Sequence, residues 1–255
     1  MTVASAILIT MFGTAVGSFL NVCIYRLPLR KSLVWPGSHC PHCDTPVKPY
    51  DNIPIAAYMW LRGRCRNCRT PISIQYPIVE LVTGLVFLGA YLLFDTPALL
   101  IQRLLFACSM IVLFVIDLEH RILPDVITLP GIVLGFLFSL FLPPGWRDSL
   151  IGIVLGGGSL WLMGELYFRL RHEEGMGFGD VKMLAMIGAF LGWKLMLLTL
   201  MLSSFIGSLV GVIMIAFKRG DMKYALPYGT FLAIGAIIAA TVGDRIVNWY
   251  ASFYV

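Results

Sequence analysis

With 255 residues, 58% of them hydrophobic and only 13% charged, and a mean hydropathy of +0.85, the chain lacks the polar surface that a soluble domain needs. Soluble domains carry about 25% charged residues, so an ordinary soluble enzyme or binding module is excluded and lipid must bathe most of the surface. The net charge of +5 is modest, and no basic patch interleaved with aromatics marks a nucleic-acid binder.

A bilayer core of about 30 Å is crossed by roughly 20 apolar residues. Candidate spans run from Val3 to Tyr25, Pro77 to Phe94, Ala98 to Ile116 and Val126 to Leu142. Four more follow, from Leu150 to Phe168, Val181 to Gly192, Leu195 to Phe217 and Leu226 to Tyr250. The reading is an all-α polytopic membrane protein of about eight transmembrane helices with a zinc-knuckle loop, punctuated at Asp95-Thr96-Pro97, Pro143-Pro144-Gly145 and Gly192-Trp193. Three parts are expected: a first helix over 1–25, a polar loop over 26–76, and a seven-helix membrane domain over 77–255.

The first basic residue, Arg26, follows the first apolar run instead of preceding it. That order fits a retained helix with its N-terminus outside, not a cleaved signal peptide. On this topology segments 26–76, 117–125, 169–182 and 218–225 are cytosolic and hold 15 Lys and Arg residues, Lys218, Arg219 and Lys223 among them. The opposite side keeps four: Arg103, Arg147, Lys194 and Arg245. The positive-inside bias thus puts both termini outside and the long loop in the cytosol.

That loop carries Cys40-Pro41-His42-Cys43 and Cys65-Arg66-Asn67-Cys68. A C-x-x-C turn aims two thiolates at one point, and a second turn completes a tetrahedral four-sulfur shell, the pattern of a closed structural zinc site. Such a loop is too short for a large core and gains its fold from the metal. Two disulfides would use the same cysteines, but a cytosolic loop is kept reduced. His39 and His42 are not needed as ligands. Cys23 and Cys108 lie in apolar runs and read as packing thiols.

Acidic residues are few, and three sit at span edges: Asp117, Asp125 and Asp180. A carboxylate at the hydrocarbon costs about 2.5–3.5 kcal/mol, which makes each a functional candidate. The run from Val181 to Gly192, about 18 Å of helix, is short of the bilayer core and would draw Asp180 below the headgroups. Glycines in Gly175-Met176-Gly177-Phe178-Gly179-Asp180 let the backbone approach a neighbouring helix or an extended substrate. Asp180 is expected at a helix N-terminus. Two carboxyls brought together share one proton, so one can activate water while the other polarises a peptide carbonyl. Alternatives stay open at this point: Asp125 as an N-cap, Asp180 as a cap, and Asp117 in a boundary ion pair with Arg121.

The chain resembles the type IV prepilin peptidases. The resemblance rests on Gly17-Ser18-Phe19-Leu20-Asn21-Val22, Tyr25-Arg26-Leu27-Pro28 and both knuckles. It continues through Tyr76-Pro77-Ile78-Val79-Glu80-Leu81, the stretch from Asp117 to Pro130, and Gly177-Phe178-Gly179-Asp180. It implies a bacterial inner-membrane G-x-G-D aspartic protease, with Asp117 and Asp180 as the dyad and Gly177 and Gly179 supporting it. Such enzymes cut the leader of a prepilin or pseudopilin after a glycine at the cytoplasmic face. They then methylate the new N-terminus with S-adenosylmethionine, in pilus and type II secretion systems. By analogy the second activity uses the N-terminal half and its loop. Asn21 and Glu80, polar residues inside apolar runs, are the candidates there for binding the methyl donor, with interhelical hydrogen bonding as the alternative. A preflagellin-type peptidase without methylation is the nearer rival reading, and an ion-coupled transporter the more distant one.

Overall fold

The computed structural model describes residues 2–172, 177–217 and 226–253. Gly175 and Met176 of the Gly-rich motif, and Lys218, Arg219 and Lys223 of the charge count, lie outside the described residues. Among the described residues every regular element is helical: a short 3-10 turn (Pro49–Asn52) and α1 (Val3–Arg26), α2 (Ala56–Trp60), α3 (Gln75–Leu93), α4 (Pro97–His120), α5 (Asp125–Ser139), α6 (Trp146–Arg171), α7 (Phe178–Ala216) and α8 (Tyr228–Ala251). In lipid the backbone must satisfy its own polar groups, and helices do so within one segment.

Six of these helices are long and apolar enough to cross a membrane: α1, α3, α4, α6, α7 and α8. Eight spans are not reached by that measure, for two physical reasons. The fourth expected span, α5, is only 15 residues long. The sixth and seventh run together as α7, which is interrupted at one residue, Gly192, with φ 78° and ψ 171°. Only glycine holds that conformation cheaply, and a Cβ there would also lie 2.8 Å from Pro144 Cβ. The polar price of the break is met locally: the carbonyl of Ala189 accepts a 2.8 Å hydrogen bond from Ser149 Oγ of α6.

The chain divides into two compact units, residues 1–100 and 101–255. In the first, α1 packs along α3, with Gly17 against the backbone of Glu80. In the second, α7 is the central element, packed against α5, α6 and α8. Gly152 and Gly188 bring α6 and α7 together backbone to backbone, where either Cβ would collide with the other chain segment. That is the small-residue contact by which helices associate when lipid gives no hydrophobic drive. Large apolar side chains such as Leu8, Phe12, Phe141 and Phe205 point outward, as a lipid-facing surface requires.

Candidate functional site

The loop of the first unit is built on two copies of one turn. Cys40-x-x-Cys43-x-Thr45-Pro46 and Cys65-x-x-Cys68-x-Thr70-Pro71 share the same residues at the same spacing. In each, the first cysteine N–H donates to the threonine carbonyl, Cys40 to Thr45 at 3.0 Å and Cys65 to Thr70 at 2.8 Å. Asp44 and Arg69 take matching left-handed φ values of 52° and 61°. The four Sγ atoms lie within 4.8 Å of one another, and Cys40 and Cys68 Sγ are 3.7 Å apart. A tetrahedral zinc shell with Zn–S near 2.3 Å has sulfurs about 3.8 Å apart, whereas a disulfide is about 2.05 Å. The donor set is therefore compatible with zinc.

Two of these sulfurs lie beside hydroxyls. Thr45 Oγ1 lies 3.4 Å from Cys43 Sγ, and Thr70 Oγ1 lies 3.2 Å from Cys68 Sγ. Thr45 side chain and backbone, then the Asn67 amide, draw the Cys43 thiol down to about 6. Thr70 lowers Cys68 in the same way. A bidentate pair joins Arg66 to Asp51 at 2.8 and 2.6 Å, and Arg66 holds the Asp51 carboxyl below its usual range. The repeated Thr-Pro after each knuckle was a sequence signal beyond the cysteine spacing.

Between this loop and α1 and α3 lies a cavity of about 710 Å³, whose lining includes Ser18, Asn21, Tyr25, Tyr76 and Glu80. Asn21 and Glu80 are both buried. Asn21 Nδ2 donates to the Tyr76 carbonyl at 3.1 Å, so α1 and α3 are tied by the interhelical bond weighed above. Glu80 does something else: its Oε2 accepts the Ile55 N–H at 2.7 Å. Ile55 has φ 61° and ψ −51°, and Ala56 N–H bonds back to the Pro54 carbonyl. This is a γ-turn with a β-branched centre, a strained arrangement that needs outside support. Arg26, read from sequence as a topology charge and as part of the Tyr25-Arg26-Leu27-Pro28 motif, is buried. Its guanidinium donates to the carbonyls of Ser32 at 2.8 Å, Pro36 at 2.7 Å and Gly37 at 3.2 Å, anchoring the start of the loop.

The second unit holds the aspartates. Asp117 lies three residues before the end of α4 and is 5% exposed. Asp180 sits in the first turn of α7, whose N-cap is Gly177, and is half-buried. Leu123 lies between their surroundings, against Gly179 next to Asp180 and against Gly229 next to Asp117 Oδ2. Asp117 Oδ2 accepts two hydrogen bonds from Thr230 at the start of α8, from N–H at 2.7 Å and from Oγ1 at 3.1 Å. Arg121 is a nearby positive charge. Gly179 is small because a Cβ would stand 2.9 Å from Leu123 Cβ, and Gly229 because its Cβ would stand 3.0 Å from Asp117 Oδ2. Asp125 is not the N-cap of α5: Pro124 holds that position, and the Asp125 carboxylate instead bonds Lys182 Nζ of α7 at 2.7 Å. Thr230, Gly229 and Leu123 were missed from sequence; the Pro227-Tyr228-Gly229 entry into α8 was the one available hint.

A multi-pass helical membrane protein with a four-cysteine loop and carboxyls at two helix ends is a narrow class. Residues 11–94 match the bacterial peptidase A24 N-terminal domain, and residues 104–212 match the type IV leader peptidase family. The chain is 36% identical to the prepilin leader peptidase/N-methyltransferase of Aeromonas hydrophila, over 97% of this chain and 94% of that one. It is 36% identical to the protein of the same description from Pseudomonas aeruginosa, over 95% and 92%. With the Legionella pneumophila protein, also so described, it shares 35% over 98% and 95%. The chain belongs to the type IV leader peptidase family. No solved structure matches it.

Proposed function

We propose that this protein is an intramembrane aspartic endopeptidase that removes the leader of a type IV prepilin or pseudopilin and then methylates the new N-terminus. The observation that supports the reading is that Leu123 packs against Gly179, next to Asp180, and against Gly229, which also meets Asp117 Oδ2, so the helix ends bearing the two carboxyls converge. Nothing in the sequence pairs a serine or cysteine nucleophile with a base, and a four-sulfur metal shell keeps no open position for hydrolysis. One carboxylate deprotonates water as its oxygen bonds to the scissile carbonyl carbon, while the other, protonated, donates to the carbonyl oxygen. Gly177 keeps the approach to Asp180 open for an extended peptide, while Gly179 supports the site by making room for Leu123.

Zinc held by Cys40, Cys43, Cys65 and Cys68 is structural in this account, fixing the loop that closes over the cavity beside α1 and α3. The cavity is the site for S-adenosylmethionine, which supplies an electrophilic methyl group. Its volume lies in the usual range for small-molecule sites, about 300–1,000 Å³. The Glu80 carboxylate and the rings of Tyr25 and Tyr76 suit a sulfonium cation. Asn21 fixes the wall of the cavity through Tyr76. The loop is cytosolic, both termini lie outside, and the membrane is the bacterial inner membrane, on the strength of the Lys and Arg distribution.

The test is to incubate the detergent-solubilised protein with a prepilin, with and without S-adenosylmethionine, and weigh the products. Loss of the leader in both samples, plus one methyl group in the sample with donor, is expected. A cleaved product that gains no methyl group selects the peptidase-only reading, and an uncleaved one removes both.

A further inference from the structure

We infer that Thr230 is a positioning residue that fixes the division of labour between the two aspartates, a step that rests on the dyad reading above. Both donors of Thr230, the backbone N–H at 2.7 Å and Oγ1 at 3.1 Å, converge on one oxygen, Oδ2 of Asp117. A carboxylate oxygen has two lone pairs, and two donors fill them. Oδ2 therefore has no place for a proton, and hydrogen bonds to the charged form favour that form. On this inference Asp117, the carboxyl held by two donors, is the base, acting through its remaining oxygen Oδ1, and Asp180 is the acid.

The local packing is built for this contact. Gly229 sits beside Thr230 because a Cβ would press against both Asp117 Oδ2 and Leu123. Pro227 ends the extended approach to α8 as its N-cap, so the Thr230 N–H is one of the first-turn donors without an intrahelical partner. It spends that donor on a carboxylate 113 positions earlier in the chain. Thr230 is 4% exposed and Asp117 is 5% exposed, so neither bond competes with bulk water.

The chemistry balances with these roles. Asp117 Oδ1 takes one proton from water as the water oxygen bonds to the carbonyl carbon, and Asp180 gives its proton to the carbonyl oxygen. In the second step the C–N bond breaks, the proton on Asp117 passes to the departing nitrogen, and Asp180 recovers its proton from the collapsing diol. The dyad ends as it began. Thr230 touches no substrate atom in this scheme; it holds Asp117 in orientation throughout.

The experiment compares Thr230→Val, Thr230→Ala and Thr230→Ser with the parent protein, using prepilin cleavage in detergent and separating kcat from KM. Thr230→Val, which keeps the N–H and the shape but loses the hydroxyl, should lower kcat about tenfold with KM unchanged, since one hydrogen bond to a charged oxygen is lost. Thr230→Ser should restore kcat to within about twofold of the parent. Thermal melting in detergent qualifies each variant, and Thr230→Ala replaces valine if valine fails to fold. A hydroxyl-free variant with parental kcat overturns the inference. So does a rise in KM alone, which would make Thr230 a substrate contact, and so does a serine variant as slow as valine, which would make the role one of packing. Asp117→Asn run in parallel separates the two levels: cleavage retained there removes the dyad itself, whereas inactive Asp117→Asn beside an unaffected Thr230→Val removes only the assignment to Thr230.

Discussion

Glu80 has two tasks that one substitution can divide. Its carboxylate supports the strained γ-turn at Ile55 through a 2.7 Å bond and also faces the cavity. Glutamine keeps an oxygen to accept the Ile55 N–H but loses the charge. Glu80→Gln should therefore leave cleavage and zinc content intact while lowering methyl transfer about tenfold or more, equivalent to ~1.4 kcal/mol. Glu80→Ala should disturb the loop as well, seen as faster proteolysis around Ile55. Equal methylation by the glutamine variant and the parent would reduce Glu80 to a structural clamp. At this scale the sequence was most informative where chemistry is rare: the four cysteines and the edge aspartates stood out because few residues in the chain are charged or thiol-bearing. Thr230, Leu123 and Arg26 were hidden for the opposite reason. Threonine at a helix start, leucine in a connection and arginine after a span are ordinary, and only the folded chain shows what they touch.

At the scale of elements, the loop and α7 each make a testable point. Cys40→Ser or Cys65→Ser should abolish the roughly one zinc per chain expected from a single four-thiolate site, measured by elemental analysis, with loss of loop protection in hydrogen exchange. Metal-free parent protein with two disulfides would contradict the assignment. The Arg66–Asp51 pair adds a pH dependence whose sign follows from its cause. The Asp51 carboxyl is held low in the folded loop, so the pair contributes fully above the ordinary aspartate value of about 3.9. That contribution is lost only as pH falls below it, through the depressed folded value. Asp51→Asn should accordingly flatten the acid limb of loop stability. In α7, Gly192→Ala forces a side chain into φ 78° and against Pro144. It should lower the melting temperature by several degrees, for a cost of about 1–3 kcal/mol. The reading of two helices that part at Gly192-Trp193 agrees with the structure: α7 is two helices joined across a kink at Gly192, and Ser149 covers a carbonyl beside the break.

For the whole molecule, each of the two family matches, 11–94 and 104–212, falls within one compact unit, and the proposed chemistry divides between the units. The four-cysteine cluster, the cavity and Glu80 belong to the first unit; both aspartates and Thr230 belong to the second. Composition alone told the class of fold, since 13% charge leaves no soluble solution. It did not fix the number of spans, because α5 is too short to be counted by length and α7 is too long to be counted as one.

Leader cleavage by the Asp117→Asn and Asp180→Asn proteins, read by mass spectrometry of a prepilin after incubation with each, bears most directly on the account. Asparagine matches aspartate in size but cannot exchange the proton that hydrolysis requires. Both variants should fold, bind zinc like the parent and leave the leader uncut. A leader released at the parental rate by either one would contradict the claim that these two carboxyls hydrolyse the bond.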